Sequence, residues 1–180
     1  MYDILVIDPP WKQKKGGLRK ARPNQGRELD YSTMDTKSIF ELLDNEIFCL
    51  ANQQHVVFMW TIEQFLIECD VEMEQRGYKR HVRMIWNKTN GIAPAFTIRY
   101  AHEYLVWYYK PKLLKIAEQQ RGKYLSIFTE KARQHSRKPD IAYRIINDLY
   151  PDSSKIDVFS REKRAGFEQW GDQINFFNCG

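Results

Sequence analysis

The sequence has few of the residues that build disulfide frameworks, metal sites or membrane spans. Its three cysteines, Cys49, Cys69 and Cys179, are odd in number and scattered, which is typical of reduced intracellular thiols. No cysteine or histidine spacing matches a metal site, so we expect no metal. No apolar run approaches the roughly 20 residues that cross a bilayer, and the N-terminus has no signal-peptide pattern. We therefore expect a cytoplasmic protein without membrane contact.

The composition is that of one globular domain with an anionic partner. The chain has 180 residues, of which 43% are apolar, and it shows no internal repeat or linker, so we predict a single domain over residues 1–180. The net charge of +5 favours an anionic partner such as nucleic acid, although many other proteins share this value.

Short apolar runs alternate with helical patterns along the chain. Runs at 4–7, 55–60 and 82–86 predict buried strands, and later strands are expected at 104–109 and 155–160. Between them, one helix is expected to be capped by Asp35 or Thr36, another to be capped by Thr61 and to end at Gly77, and a third to open at residues 136–140. This alternation predicts an α/β fold with a mostly parallel sheet flanked by helices.

The first predicted strand ends at Asp8-Pro9-Pro10-Trp11. Proline cannot donate to a ladder, so the strand stops in a stiff turn at the edge where α/β sheets bind ligands. A planar exocyclic amine such as adenine N6 would suit this set. Asp8 and the Pro9 carbonyl can accept its two N–H groups, while Pro10 and Trp11 can stack on the base. The alternative is structural, with Asp8 capping a loop and Trp11 packed in the core.

Residues 12–30 are basic, contain glycine and proline, and have no apolar periodicity. Stretches of this length in a compact domain are usually functional or disordered. Because this one follows Trp11 directly, we predict a loop that binds phosphates, with Lys12, Lys14 and Lys15 nearest the motif. The alternative is a solvated surface loop.

Eight further short motifs follow Asp8-Pro9-Pro10-Trp11 over nearly the whole chain. They are Tyr31-Ser32-Thr33-Met34, Phe58-Met59-Trp60, Gly77-Tyr78, Trp86-Asn87-Lys88-Thr89-Asn90, His102-Glu103, Ser136-Arg137-Lys138-Pro139-Asp140, Lys155-Ile156-Asp157-Val158-Phe159 and Trp170-Gly171-Asp172-Gln173. In this order they resemble the adenine-N6 methyltransferases related to the catalytic subunit of the eukaryotic mRNA adenosine methyltransferase. The resemblance implies a Rossmann-like fold that uses S-adenosylmethionine (SAM), with a permuted motif order, in a bacterial or phage member located in the cytoplasm or the host cytoplasm.

The resemblance also implies roles for individual residues. Asp8 would be the catalytic carboxylate, and Pro9, Pro10 and Trp11 would shape the base pocket. The cofactor would be bound by Asp8, Lys138, Ser160, Arg161, Asp172 and Gln173. Tyr31, Asn87 and Lys88 would contact the target nucleotide, and His102-Glu103 would support the wall of the active site.

The predicted reaction is transfer of the SAM methyl group to adenine N6 by direct in-line displacement, on a flipped-out or single-stranded base. DNA is favoured as the substrate on chain size alone. RNA methylation is the first alternative; a catalytically inactive nucleic-acid-binding subunit and methylation of a protein amide are the others.

Two features depart from the family pattern. In residues 160–164 the sequence departs from the usual small polar pattern beyond Arg161, because Lys163 and Arg164 replace side chains better suited to hydrogen-bonding a ribose. The chain also begins almost at the catalytic strand, whereas family members usually carry a further segment before it. We therefore expect either a smaller sheet or one completed by a second copy, as in a homodimer, or by a partner subunit.

Overall fold

The computed structural model describes residues 1–12, 32–90, 97–134 and 136–177. Seven strands in these ranges form one sheet. They are β1 (Tyr2–Ile7), β2 (Ala51–Thr61), β3 (Lys79–Asn87), β4 (His102–Lys110), β5 (Ile127–Thr129), β6 (Lys155–Val158) and β7 (Glu168–Trp170). The α-helices of these ranges are α1 (Thr36–Leu42), α2 (Leu66–Gln75) and α3 (Asp140–Leu149), and none of them is long and apolar enough to cross a membrane.

The strand order is β5-β3-β4-β2-β1-β6-β7. β1 pairs in parallel with both β2 and β6, β6 with β7, and β3 with β5, whereas β4 is antiparallel to its neighbours β2 and β3. The prediction of a mostly parallel α/β fold is confirmed. The insertion of β4 between β2 and β3 has a consequence for the site, because the start of β4 lies at the edge where the other strands end.

Alternating side chains give the sheet a core on each face. Leu5 and Ile7 of β1 point toward α1 and α2, while Ile4 and Val6 point toward α3. All four side chains are fully buried. A strand covered on both faces reads as a continuous apolar run, which explains why β1 was readable from its sequence.

The helix ends follow local chemistry in part. Asp35 caps α1, since its carboxylate accepts the Ser38 N–H at 2.9 Å. Gly77 adopts a left-handed conformation (φ +79°) just after α2, as expected where a helix ends. The prediction that Thr61 caps the second helix is wrong: β2 continues through Thr61, which pairs with Tyr104, and α2 has no side-chain cap.

Candidate active site

The acidic motif lies where β1 ends, between the ends of β2 and β6. The Asp8 N–H donates to the Val158 carbonyl at 3.1 Å, and the Met34 N–H donates to the Pro10 carbonyl at 2.8 Å. The Lys12 N–H returns a bond to the Met34 carbonyl at 2.9 Å, so Trp11 and Met34 form a short parallel bridge. Backbone bonds on both sides therefore hold the turn in one conformation.

Trp11, the last residue of the motif, points from the turn into the core. Its side chain is only 7% exposed, and its ring stacks on Phe65 with 5.0 Å between centroids and 14° between planes. Its indole N–H donates to the Trp60 carbonyl at 3.1 Å, which ties the motif to β2. In this arrangement Trp11 belongs to the core, and Pro10 is the more exposed ring of the motif.

Four charged side chains alternate in sign next to the motif. Lys138 Nζ lies 2.9 Å from Asp8 Oδ1 and 3.1 Å from Glu103 Oε2, and the ammonium of Lys88 contacts the other oxygen of Glu103. The Asp8 side chain remains 20% exposed, so a substrate can reach it. Glu103 reaches the site because β4 runs antiparallel, which brings its second residue opposite Trp86 near the end of β3.

The charges in this chain oppose the cost of burying one another. Burial raises the pKa of Asp8, and the Lys138 ammonium opposes that rise. Burial also disfavours the charge on Lys138, but Asp8 and Glu103 outweigh burial and raise the pKa of Lys138. Burial of Glu103 is outweighed in turn by Lys138 and Lys88, which lower the pKa of Glu103. Lys138 is therefore a permanent cation near neutral pH and not a proton acceptor.

A small pocket opens between the ends of β1 and β6. Asp8, Lys138, Asp157, Ser160, Arg161 and Phe177 contribute to its lining, and its volume is about 20 Å³. The structure thus brings together four of the predicted cofactor residues: Asp8, Lys138, Ser160 and Arg161. Asp172 and Gln173 do not line this pocket; they follow β7, the neighbouring strand.

Gly171 allows the end of β7 to pack closely against residues 159–160. A Cβ at this position would lie 3.2 Å from the Phe159 Cα and 3.3 Å from the Ser160 nitrogen, so a side chain would push the segments apart. The close approach allows the Ser160 N–H to donate to the Trp170 carbonyl at 3.1 Å. The Arg161 guanidinium then lies 4.0 Å from the centre of the Phe176 ring.

The residue types around this pocket fit SAM. The methionine part of SAM carries a carboxylate and an ammonium group, and the lining offers both cations and acids. Lys138 has three N–H donors, and its contacts with Asp8 and Glu103 use two of them. The third can bind a carboxylate. Among the described residues, no group of His, Cys, Asp and Glu side chains could hold a metal ion.

The predicted nucleotide contacts are only partly described. Tyr31, Lys14 and Lys15 lie outside the described residues. Lys12 is exposed at the end of the motif. Asn87 donates to the Thr129 hydroxyl at 3.3 Å, and Lys88 is paired with Glu103 beside Trp86. Their contacts with a nucleotide stay predictions.

Sequence reasoning did not assign a site role to Asp157. This acid lies inside buried β6, and its carboxylate accepts the Tyr143 hydroxyl at 3.2 Å. Burial raises the pKa of Asp157 to about 7. The available signal was an acid in the middle of an apolar strand, because such a residue is uncommon without a partner.

The fold and the site together define a Rossmann-like methyltransferase. The family model of MT-A70 matches residues 2–173, and the chain belongs to the MT-A70 family of adenine-N6 methyltransferases, which use SAM. The resemblance found from the sequence motifs is thereby confirmed.

Three relatives show the range of this similarity. The type II methyltransferase M.MunI of a Mycoplasma species is 22% identical over 96% of this chain and 78% of its own length. The N6-methyladenosine RNA methyltransferase MTA1 of Pyricularia oryzae is 26% identical over 98% of this chain and 48% of its own. An N(6)-adenosine-methyltransferase MT-A70-like protein of Arabidopsis thaliana is 25% identical over 97% and 24%. The chain thus spans half or less of the fungal and plant proteins.

Proposed function

We propose that this chain transfers the methyl group of SAM to N6 of adenine in DNA. The observation that carries the proposal is the Asp8 carboxylate, held at the end of β1 by Lys138 at 2.9 Å and still partly exposed. A fixed anionic acceptor beside a rigid proline turn is what an exocyclic amine requires, because its two N–H groups need partners before its lone pair can attack.

Two acceptors are available for that amine. The Asp8 carboxylate is one, and the Pro9 carbonyl is the other. The Pro9 carbonyl already accepts the Trp11 N–H at 2.9 Å, but a carbonyl oxygen has two lone pairs and can accept a second donor. Holding both N–H groups turns the nitrogen lone pair out of conjugation and toward the methyl donor.

When bound, SAM supplies an electrophilic methyl group on a sulfonium. The protein's own part is positioning and electrostatics, which together account for most of the acceleration in reactions of this type. Lys138 favours the ionised form of Asp8 and fixes the direction of its carboxylate, while Glu103 and Lys88 hold Lys138 in place. The methylated amine is a strong acid, so its proton can pass to the Asp8 carboxylate or to water without a stronger base.

We expect the two rings of the motif to have different tasks. Pro10 is half-exposed and can lie against the base, whereas Trp11 supports the turn from below through Phe65 and Trp60. Because the pocket beside Asp8 is about 20 Å³, we expect the segment carrying Phe177 to shift when the cofactor binds.

The charge distribution supports one direction of approach for nucleic acid. Residues 35–76, which include α1 and α2, carry nine acidic and two basic side chains, although the whole chain has a net charge of +5. Residues 35–76 therefore repel a polyanion such as nucleic acid, and the rest of the protein, which is positively charged, attracts it. Lys12, exposed directly after the motif, is the described cation placed to contact a phosphate there.

We favour DNA over RNA for one reason. Among the three relatives above, this chain covers the largest share of the type II methyltransferase. RNA is the second candidate, supported by the similarity to the RNA methyltransferase MTA1 over 98% of this chain.

The test is methyl transfer from radiolabelled SAM to duplex DNA, single-stranded DNA and RNA, followed by digestion and separation of the nucleosides. Label in N6-methyldeoxyadenosine supports the proposal, and label confined to N6-methyladenosine would instead support the RNA candidate. Label in neither, with SAM bound, would indicate an inactive subunit or a missing partner.

The Asp8→Ala variant tests the mechanism. We expect transfer to fall by at least about 10²-fold, as when a key group for electrostatic stabilisation is removed, while SAM still binds in calorimetry. Asp152→Ala is the matched control, because Asp152 is an exposed acid in a turn. Full transfer by Asp8→Ala would rule out the proposed role of the carboxylate.

A further inference from the structure

A second and larger cavity lies away from Asp8, toward the start of β3 and the C-terminal end of α3. Its volume is about 510 Å³. Met84 and Trp107 form its floor on the sheet, Ile145 and Leu149 of α3 form one wall, and residues 113–126 cover it. Pockets of about 300–1,000 Å³ with mainly apolar walls are the usual size and character of small-molecule sites.

Residues 113–126, which cover the cavity, are anchored by hydrogen bonds at both ends. Near the start of this cover, the Ala117 N–H donates to the Leu149 carbonyl at 2.8 Å, and the Tyr150 hydroxyl donates to the Leu114 carbonyl at 3.3 Å. At its end, the Ile85 N–H donates to the Ser126 carbonyl at 2.8 Å. Apolar elements that are free to move pack densely against each other. Here the anchored cover spans the space, so the cavity is preformed.

The charged groups that line this cavity have one sign. Lys115 and Arg121 contribute to the lining, and no aspartate or glutamate of the described residues does. Arg121 is paired with Glu118 at 3.5 Å, but both side chains are more than 60% exposed, so this ion pair is weak. The opening is also apolar, since Leu125 beside it is 77% exposed.

We propose that this cavity binds an amphipathic anion, with its apolar body against Met84, Trp107 and Ile145 and its anionic group near Lys115 and Arg121. An acyl-chain carboxylate and an aromatic carboxylate share this chemistry. The site is separate from the Asp8 pocket: α3 follows directly after Lys138 and reaches the cavity only with its later residues, Ile145 and Leu149.

The experiment uses the fluorescent aromatic sulfonate 8-anilinonaphthalene-1-sulfonate with the full chain. We expect one saturable site, from which decanoate or naphthoate displaces the probe. The better competitor shows whether the natural ligand carries an acyl chain or an aromatic ring. Decyltrimethylammonium, which has the same chain and the opposite charge, should displace it at least about tenfold less well, as expected for a lost charged hydrogen bond. SAM should not displace it.

Two sets of variants locate the site. Lys115→Gln with Arg121→Gln should weaken decanoate binding about tenfold, whereas Lys123→Gln, an exposed lysine outside the cavity lining, should not change it. Ile145→Phe should reduce probe binding by filling the cavity, with circular dichroism and SAM binding confirming the fold. Displacement by SAM, equal displacement by the cation, or unchanged binding in both sets of variants would overturn the proposal.

Discussion

Replacing Lys138 with methionine should raise the pH at which methyl transfer fails. The Lys138 ammonium lies 2.9 Å from Asp8 and 3.1 Å from Glu103, and it is the closest described cation to Asp8. Methionine is of similar length and can keep the contact with the Trp60 ring, which lies 5.4 Å from the nitrogen. The substitution therefore removes a charge while retaining most of the packing.

The magnitude follows from the distances. An opposite charge this close lowers the pKa of a carboxyl group by about 1–3 units, so loss of the ammonium should raise the pKa of Asp8 by the same amount. In free energy, this is about 1.4–4 kcal/mol less stabilisation of the ionised over the protonated carboxyl group. Glu103, left without Lys138 between itself and Asp8, acts in the same direction because like charges repel. Burial already raises the pKa of Asp8 above its ordinary value, so the two effects add. Because transfer needs the ionised carboxylate, its acid limb should move to higher pH.

Single-turnover methyl transfer, measured from acid to alkaline pH at saturating SAM and substrate, checks this shift. Lys138→Arg keeps the charge and should leave the acid limb near that of the wild type. Lys88→Met removes a partner of Glu103 but none of the described partners of Asp8, so its shift should be smaller. A rate that falls equally at every pH in Lys138→Met, with an unmoved acid limb, would refute the reasoning and leave Lys138 a role in binding alone.

Three other substitutions test the buried charges. Glu103→Gln should lower the free energy of unfolding by about 3–5 kcal/mol in urea titrations, because it leaves Lys138 and Lys88 without their shared partner; an unchanged midpoint would contradict this. Burial lowers the pKa of His55, so the stability that its neutral imidazole contributes is complete above about pH 6.5 and is lost as the pH falls through the lowered pKa. His55→Gln should remove this loss of stability at acid pH, measured by the same urea titrations at neutral and acid pH. Burial raises the pKa of Asp157 to about 7, so the stability that its protonated form contributes is complete below about pH 4 and is lost as the pH rises from there through 7. Asp157→Asn should remove this dependence, and an identical pH profile in the variant would show that Asp157 ionises freely.

Local patterns in the sequence were sufficient for much of the fold. β1 and β2 are buried on both faces, so they read as apolar runs, and α3 reads as a helix because its buried residues recur at helical spacing. The short strands β5 and β7 were not predicted from the sequence. Each has three residues, which is too few for a periodic pattern, and each is held by pairing with a neighbour distant in the chain.

The candidate site shows the same division. Asp8 and its prolines were identifiable because an acid and two prolines that end a buried strand are informative by themselves. Lys138 and Arg161 were named only through the order of the motifs, since a lysine before a helix and an arginine after a strand are common. The pairing of Lys138 with Asp8 joins residues 130 positions apart, and it depends on α3 packing against the face of β1 that carries Ile4 and Val6.

The sequence by itself determined the class of fold, the acidic turn after β1 and the family of the chain, because each depends on residues that are adjacent or ordered along the chain. Only the tertiary structure decided that β4 runs antiparallel and brings Glu103 to Lys138, that Trp11 lies on Phe65 in the core, and that residues 113–126 cover a cavity. These features depend on which side chains can be buried together once distant segments pair, and local patterns carry no information about that choice.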